Sequence, residues 1–250
     1  LLIEASTAVG YDRTDVLHDR ADLGATLKDL VKRKTLINPQ SASPRHHVGR
    51  DGDTTYMCAV DRNSMGVSLI NSNASGFGSG LVEQRTGINL HNRGLGFSLM
   101  RGHASELAAG RQPPHTLCPA LITRKDNSLL SVLGTMGGDA QPQIILQLIT
   151  RLLRNQGAAR KPAEIVDAGR WVLRGPTTGF DTWTSQSPPT VQIEGHAPEG
   201  WLRELASRGH QVEQRPRLDS GFGHANMIVI DENGNMSGGA DSRTVVGSCE

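Results

Sequence analysis

Apolar residues recur at helical spacing in several separate stretches of the chain. In the first of these, Leu27, Leu30, Val31 and Leu36 are spaced as on one helix face, so residues 1–37 are predicted to be largely helical. Three later helices are predicted: residues 144–152 with a stop at Gly157, a helix beginning at Pro162, and residues 198–208.

Alternating apolar and polar residues predict strands before and after these later helices. Thr54–Val60 and Met65–Ser72 read as a hairpin, and residues 120–123 and 129–133 as a second one. Further strands are predicted at residues 88–91, 190–194, 225–230 and 235–240. Strands, then helices, then strands again predict a layered domain of the α/β or α+β class.

Residues 38–53 separate the helical start from the first hairpin and have a different character. They are polar, contain two prolines and show no periodicity, which is typical of an exposed, protease-sensitive linker.

The linker ends at Asp53, directly before the pair Thr54 and Thr55. Such a pair is equally typical of an ordinary strand start. A threonine hydroxyl becomes a good nucleophile only beside a base, and a cut before Thr54 would supply an α-amine with a pKa of about 8.

A second candidate feature is the glycine pair Gly137 and Gly138, which precedes the helix predicted over residues 144–152. Glycines let backbone N–H groups approach a ligand closely, and a helix N-terminus carries partial positive charge. The pair could therefore stabilise the oxyanion of an acyl-transfer reaction. On its own it is just as typical of a tight turn.

Composition and motifs argue against several other function classes. The 26 Lys and Arg residues nearly balance the 25 Asp and Glu residues, so no basic excess predicts nucleic-acid or membrane binding. The three cysteines lie far apart and the histidines lack metal-site spacing, so neither a metal nor a cofactor is predicted. No G-x-S-x-G, P-loop or dinucleotide-binding motif occurs.

The ends and the cysteines give weaker indications of where the protein works. The chain begins at Leu1 rather than Met, which suggests a fragment or a processed product. The longest apolar run, residues 144–153, is too short to span a bilayer. Unpaired cysteines favour a cytoplasmic location over a periplasmic or secreted one.

Six sequence blocks in a fixed order resemble the small subunit of the gamma-glutamyltransferase family. They are TTYMCAVD, GFGSG, GINLHNRGLGFSL, RQPPHTLCPALI, GTMGGDAQPQ and GGADSR. The resemblance covers residues 53–250, and residues 1–53 resemble the end of the large subunit. It implies an N-terminal nucleophile hydrolase with a four-layer αββα sandwich, only part of which lies in this chain. The implied division is therefore 1–53 and 54–250.

The same resemblance implies roles for individual residues. The precursor would cut itself between Asp53 and Thr54, and Thr54 would become the nucleophile. Thr55 resembles the family's second hydroxyl residue, and Ser72 aligns with a threonine that hydrogen-bonds near the nucleophile. Gly137 and Gly138 match the oxyanion-hole glycines.

The substrate-binding end departs from the family pattern. Where typical members have N-N-[QE]-M-D-D-F, this chain has His91 to Phe97, with Arg93 at the Gln/Glu position and Gly96 at the aspartate position. The family's Ser-Ser pair becomes His115-Thr116, and the expected Asn falls at Ala74, beside Asn73. A cation in place of an anion disfavours an α-ammonium group. Arg93 therefore suggests an acyl group that carries a carboxylate but no α-amine, and the alternative is that Arg93 forms a structural ion pair. By the same resemblance, Arg93, His115 and Thr116 would shape the acyl pocket.

These departures resemble the branch of the family that includes oxamate amidohydrolases and cephalosporin (glutaryl) acylases. They imply an amidohydrolase or acyltransferase acting on an amide of a small carboxylate-bearing acyl group. The alternatives are true gamma-glutamyl transfer or glutathione hydrolysis, and an uncleaved, non-catalytic fragment or scaffold. The family also implies a large-subunit partner, mostly absent from this chain, and a heterotetramer of two large and two small subunits.

Overall fold

A computed structural model describes residues 1–10, 12–33, 37–42, 54–154, 161–175 and 189–249 of the chain. Within these ranges there are six α-helices and nine β-strands, besides short 3₁₀ turns. The helices are α1 (Leu2–Gly10), α2 (Arg13–Val16), α3 (Leu23–Lys32), α4 (Gln141–Arg154), α5 (Pro162–Asp167) and α6 (Gly200–Ser207). The strands are β1 (Thr54–Val60), β2 (Gly66–Ser72), β3 (Ala120–Thr123), β4 (Leu129–Thr135), β5 (Trp171–Arg174), β6 (Thr190–Glu194), β7 (Gln211–Arg215), β8 (Ala225–Ile230) and β9 (Met236–Ala240).

The strands form three sheets, two of which lie face to face. The central sheet has the order β3-β4-β8-β9 and is antiparallel throughout. The β1–β2 hairpin packs on one face of it through β1, which contacts β4 and β8. Helices α4 and α5 cover the other face. The predicted α+β class is confirmed, and three layers of the predicted αββα order lie within the described residues.

The main core lies between the central sheet and its helices. Ile144 and Leu148 from α4 pack with Leu133 of β4, Val172 of β5 and Met227 of β8, and all five are buried. Burying five such side chains stabilises the fold by about 1.5–3 kcal/mol each. The helical spacing seen in the sequence therefore marks the face of α4 that contacts the sheet.

The hairpin approaches the central sheet closely because of one glycine. A Cβ at Gly134 of β4 would lie 2.3 Å from the ring of Tyr56 in β1. The absence of a side chain at Gly134 lets the Tyr56 ring rest on the backbone, where only 5% of it is exposed. The Tyr56 hydroxyl shares a hydrogen bond with Ser68 Oγ of β2 at 3.0 Å. These contacts hold β1 against the central sheet.

The third sheet ties the N-terminal helix into the same fold. In it β5 pairs antiparallel with β6, and β6 pairs parallel with β7. Ile3 of α1 packs against Trp171, Leu173, Val191 and Ile193 of this sheet. Residues before Thr54 thus contribute to a shared core. The division into 1–53 and 54–250 stays a prediction, since residues 43–53 lie outside the described ranges.

Four charged side chains are fully buried where these layers meet. Arg170 Nη2 lies 2.6 Å from Asp241 Oδ2, and Arg243 Nη1 lies 2.9 Å from Asp241 Oδ1. Arg243 Nη2 also lies 2.5 Å from Glu194 Oε2. Two cations and two anions balance, which a buried group of charges requires. Below, this set is called the buried charge network.

Some predicted elements differ from the structure. Residues 88–91 are not a strand: one bridge joins Val82 to Asn89, while Ile88 and Leu90 are exposed. Strands β5 and β7 were not predicted. The helix predicted over 144–152 runs over Gln141–Arg154, and its predicted stop at Gly157 lies outside the described residues. The two predicted hairpins and the strands 190–194, 225–230 and 235–240 are confirmed within a residue or two.

Candidate active site

The pairing of β1 with β2 places the hydroxyl of Thr54 beside the hydroxyl of Ser72. The two residues lie opposite each other at the open end of the hairpin. Thr54 Oγ1 donates a hydrogen bond to Ser72 Oγ at 2.9 Å. Ser72 Oγ also accepts from the backbone N–H of Ala74 at 3.0 Å. The two predicted residues are therefore brought together, and Ser72 can orient the Thr54 hydroxyl.

The other residues predicted around the cleavage site differ in how they are placed. Thr55 is exposed and lies opposite Asn71 in the hairpin. Its side chain points away from the side of β1 that carries the buried Tyr56, because neighbouring strand residues alternate between faces. Asp53 lies outside the described residues. Cleavage between Asp53 and Thr54 stays a prediction.

Gly137 and Gly138 form a turn between the end of β4 and the start of α4. Their φ angles are +133° and +54°, which side-chain-bearing residues rarely adopt. Within the described ranges, no acceptor meets the backbone N–H groups of either glycine. The 14-residue helix α4 follows within three residues and adds partial positive charge. This arrangement is suited to holding an oxyanion.

The segment before β8 packs against the glycine turn. A Cβ on Gly223 would lie 2.5 Å from the Met136 carbonyl oxygen, so only glycine fits there without movement. The Met136 N–H donates to the His224 carbonyl at 3.2 Å. Arg170 of the buried charge network donates to the carbonyls of Phe222 and Gly223 at 2.7 and 3.0 Å. The buried charge network thus reaches the back of the candidate oxyanion turn.

A cavity of about 410 Å³ lies next to the first strand and this turn. Its lining includes Thr54 and Thr55 of β1 together with Met136 and His224. Residues of the 244–249 segment complete its wall. Partial burial lowers the pKa of the His224 imidazole, which favours its neutral form at pH 7. The cavity joins the candidate nucleophile to the residue before Gly137.

Replacing Gly137 by alanine is expected to lower kcat by about 100-fold, the scale measured when one oxyanion donor is lost. The reason is strain: a Cβ would make only ordinary contacts, the nearest 3.5 Å from Ile144 Cδ1, but φ of +133° disfavours any L side chain, so the turn would change shape. Gly234→Ala is the matched control, because Gly234 has φ of +82°, open space and a place in the β8–β9 turn. Steady-state kinetics on both variants, with Tm values, tests this. An equal loss in Gly234→Ala would contradict the oxyanion assignment.

The predicted acyl-binding residues Arg93 and Thr116 meet in the structure. Both are buried, and Arg93 Nη1 donates to Thr116 Oγ1 at 3.5 Å, a long hydrogen bond. Burial, together with the nearby Arg13 cation, lowers the pKa of Arg93, while Asp139 opposes this shift. The guanidinium remains charged at pH 7 because its ordinary pKa is above 12. A buried cation of this kind favours an anionic ligand.

His115 lies at the edge of this pair and is more exposed than predicted for a pocket residue. Partial burial and the cations Arg93 and Arg13 lower the pKa of the imidazole, so it is neutral at pH 7. Its Nδ1 accepts from the Leu117 N–H at 3.2 Å, which fits the neutral form. Its backbone carbonyl accepts a hydrogen bond from Arg13 Nη2 at 3.2 Å.

The structure at Gly96 disfavours the aspartate that the family has at this position. A Cβ on Gly96 would lie 2.7 Å from the Pro114 carbonyl oxygen, so an aspartate there would require the backbone to shift. Ala74 is buried and has φ of +79°. Asn92, which was not predicted, connects the surrounding loops: its side chain bonds Ser75 twice and the Gly78 carbonyl once.

Two further residues were missed by the sequence reasoning. Arg13 of α2 lies against Asp139, which directly follows Gly138. Asp139 lies inside the quoted block GTMGGDAQPQ, so the resemblance pointed to its neighbourhood. Nothing in the pattern around Arg13 indicated a contact 126 residues away.

The described residues contain no group of three or more His, Cys, Asp or Glu side chains suited to a metal ion. Among the described helices, none is long and apolar enough to cross a membrane.

Comparison with known proteins decides the family. The family model for gamma-glutamyltranspeptidase matches residues 1–248. The chain belongs to the gamma-glutamyltranspeptidase family. The family resemblance inferred from the six blocks is thereby confirmed.

Several relatives of this gamma-glutamyltranspeptidase family chain are described as proenzymes. The oxamate amidohydrolase proenzyme of Klebsiella pneumoniae is 39% identical over 97% of this chain and 45% of its own length. A glutathione hydrolase-like proenzyme of Bacillus subtilis is 32% identical over 97% of this chain and 45% of its own length. The chain thus spans about half the length of the curated relatives it matches.

Solved structures confirm the N-terminal nucleophile hydrolase fold. A cephalosporin acylase from Bacillus halodurans matches with a TM-score of 0.78 and 27% identity, over 99% of this chain and 43% of that one. A gamma-glutamyltranspeptidase chain from Pseudomonas nitroreducens, a W525D mutant, matches with a TM-score of 0.61 and 21% identity. The latter match covers 78% of this chain and 98% of that chain, and it supports the fold alone.

Proposed function

We propose that this chain is the catalytic part of a self-processing amidohydrolase or acyltransferase. Its substrate is an amide whose small acyl group carries a carboxylate, and Thr54 carries that acyl group as an ester. The observation that supports this most strongly is the 2.9 Å hydrogen bond between Thr54 Oγ1 and Ser72 Oγ, at the edge of the cavity that also contacts the residue before Gly137.

The proposed reaction begins with the chain's own peptide bond. Thr54 Oγ attacks the carbonyl carbon of Asp53, the C–N bond breaks, and an ester and a free α-amine form. Water hydrolyses this ester, restoring the Thr54 hydroxyl and leaving the amine as the base. The same oxygen then attacks the substrate amide, the N–H groups of Gly137 and Gly138 hold the oxyanion, and the amine product leaves with a proton. Water or an amine acceptor then releases the acyl group.

The buried Arg93 is the reason for proposing a carboxylate in the acyl group. Its charge favours an anion and disfavours the α-ammonium that a gamma-glutamyl substrate carries. The neighbouring Gly96 has no room for the carboxylate that would bind such an ammonium. The relative with 39% identity is described as an oxamate amidohydrolase, which acts on a small carboxylate-bearing amide by its name.

Two other functions fit particular observations. Glutathione hydrolysis or gamma-glutamyl transfer is favoured by relatives described as glutathione hydrolases, which are 28% identical to this chain or less. A further relative, 32% identical, is described as glutathione hydrolase-like. An uncleaved scaffold is favoured by the linker that still precedes Thr54 in this chain. Activity on an oxamic or succinamic amide, and a new N-terminus at Thr54, separate these three functions.

The proposed partner is the remaining part of the same precursor. Met57, Val67 and Leu69 on the outer face of the β1–β2 hairpin are exposed, as are Leu27 and Val31 of α3. Exposed apolar faces of this kind are typical of surfaces that another part of a protein covers. The relatives are about twice as long as this chain, which leaves enough sequence for that cover. A heterotetramer of two large and two small subunits stays part of this proposal.

Replacing Arg93 by glutamine is expected to lower kcat/KM for an oxamic, succinamic or glutaramic amide by about 10–100-fold, because a charged hydrogen bond is worth about 1.5–3 kcal/mol. A gamma-glutamyl anilide should lose little or gain, since the repelling cation is removed. The measurement is kcat/KM for both substrate types in the full-length protein. Arg101→Gln is the control, because Arg101 is an exposed arginine eight residues further along. An unchanged ratio between the two substrate types would contradict the role of Arg93.

A further inference from the structure

One arginine in α2 contacts both halves of the candidate site at once. Arg13 Nη1 lies 2.5 Å from Asp139 Oδ1, and Arg13 Nη2 donates to the His115 carbonyl at 3.2 Å. Only 18% of the Arg13 side chain and 7% of the Asp139 side chain are exposed. An ion pair this shielded, with both terminal guanidinium nitrogens (Nη1 and Nη2) engaged, fixes geometry better than a surface pair does.

The first contact constrains the glycine turn. Asp139 follows Gly138 directly and lies in the 3₁₀ turn Gly138–Ala140. Gly137 and Gly138 have no side chains, so nothing of their own holds the direction of their N–H groups. Anchoring the Asp139 carboxylate therefore limits how the preceding two peptide groups can rotate. Oxyanion donors act only when they are already aimed at the developing charge.

The second contact constrains the backbone next to the predicted acyl-binding pair Arg93 and Thr116. The His115 carbonyl belongs to the peptide group that leads into Thr116, and Thr116 accepts the hydrogen bond from Arg93. Arg13 thus holds the backbone next to Thr116.

We propose that Arg13 is a positioning residue that sets the oxyanion turn and the acyl pocket relative to each other. This inference rests on the proposed function. Arg13 precedes the predicted cut between residues 53 and 54, and Asp139 follows it. After cleavage the ion pair becomes a contact between two chains, so the end of the first chain helps to arrange the catalytic turn of the second.

The test uses four variants of the full-length protein after processing is complete: Arg13→Gln, Asp139→Asn, the double variant and Arg13→Lys. Active sites are counted by the burst of released amine when Thr54 is first acylated, and kcat is expressed per counted site. We expect each neutral single variant to lower this kcat by about 10–100-fold, with less effect on KM, because displaced groups lose transition-state contacts. The double variant should be no slower than the slower single variant. Arg13→Lys, which keeps the charge, should recover part of the loss.

Arg215→Gln is the matched control, since Arg215 forms surface ion pairs with Glu213 and Asp219 away from the site. Wild-type kcat per site in Arg13→Gln would overturn the inference. So would a variant with fewer acylated sites but normal turnover at each of them, because that result shows a role in folding alone. If the wild-type protein cleaves no carboxylate-bearing amide, the proposed function fails first, and that result is distinct from both.

Discussion

Replacing Thr54 by alanine is expected to abolish amide turnover, with a fall in kcat of at least about 10⁴-fold. Loss of a covalent nucleophile has effects of this size because the remaining groups only bind the substrate and stabilise the oxyanion. Thr54 is the proposed nucleophile because its hydroxyl is hydrogen-bonded to Ser72 at the edge of the cavity. The measurement is single-turnover amine release from an oxamic or succinamic amide by the full-length protein.

Two controls separate the nucleophile from its neighbours. Thr54→Ser keeps the hydroxyl and should keep measurable turnover, whereas Thr55→Ala should lose no more than about tenfold, the value of one ordinary hydrogen bond. Thr55 is exposed and lies opposite Asn71, so it does not occupy the position beside Ser72. Turnover in Thr54→Ala close to that of the wild type would show that another group is the nucleophile.

Replacing Arg170 by methionine is expected to destabilise the fold by about 3–5 kcal/mol, the usual cost of leaving a buried charge without its partner. Arg170 and Asp241 are both fully buried and lie 2.6 Å apart. Removing one cation leaves Arg243 to balance two carboxylates, Asp241 and Glu194. A Tm lower by on the order of 10 °C should result for a chain of this size. Thermal unfolding monitored by circular dichroism measures this.

The double variant Arg170→Met and Asp241→Asn gives the sharper test of this explanation. It restores charge balance, so it should be more stable than Arg170→Met alone. Glu204→Gln is the control for a surface pair, since Glu204 is exposed and lies 3.8 Å from the partly exposed Arg208. Its effect should be below about 0.5 kcal/mol. A double variant less stable than both single variants would contradict the charge-balance account.

Low pH should destabilise the fold through the same buried charge network. Burial raises the pKa of Asp241, but the Arg170 and Arg243 cations outweigh burial, so the folded-state pKa is lowered. A lowered folded-state pKa contributes stability that is present above the unfolded value of about 3.9 and is lost as pH falls through the folded value. Stability of the wild type should therefore fall more steeply below about pH 4 than that of Asp241→Asn.

The parts of the fold that the sequence predicted are those with strong periodicity. The apolar face of α4 and the alternation in β1 were both readable because burial imposes that spacing. Strand β7, with sequence QVEQR, has one apolar residue and is recognised only by its parallel pairing with β6. Strand β5 is four residues long. The apolar residues Ile88 and Leu90 misled the prediction because they are exposed on a loop.

The candidate site, like the fold, was predicted from the sequence only in part. Thr54, Gly137 and Gly138 were predicted because they lie in the quoted blocks, and Ser72 because it aligns with a threonine of the family. The structure brings Thr54 and Ser72 together. Arg13 and the buried charge network could not be predicted, because their partners lie far away along the chain. A long-range ion pair leaves no periodic signal in either segment. Only the folded backbone shows that Arg13 contacts Asp139.

Self-cleavage at Thr54 is the central claim, and intact-mass spectrometry with N-terminal sequencing tests it most directly. The full-length protein and its Thr54→Ala variant would be incubated at neutral pH and compared. The account predicts that the wild type separates into two chains, with Thr54 as the first residue of the second, while Thr54→Ala stays whole. An uncut wild-type chain, or the same cut in both proteins, would contradict it.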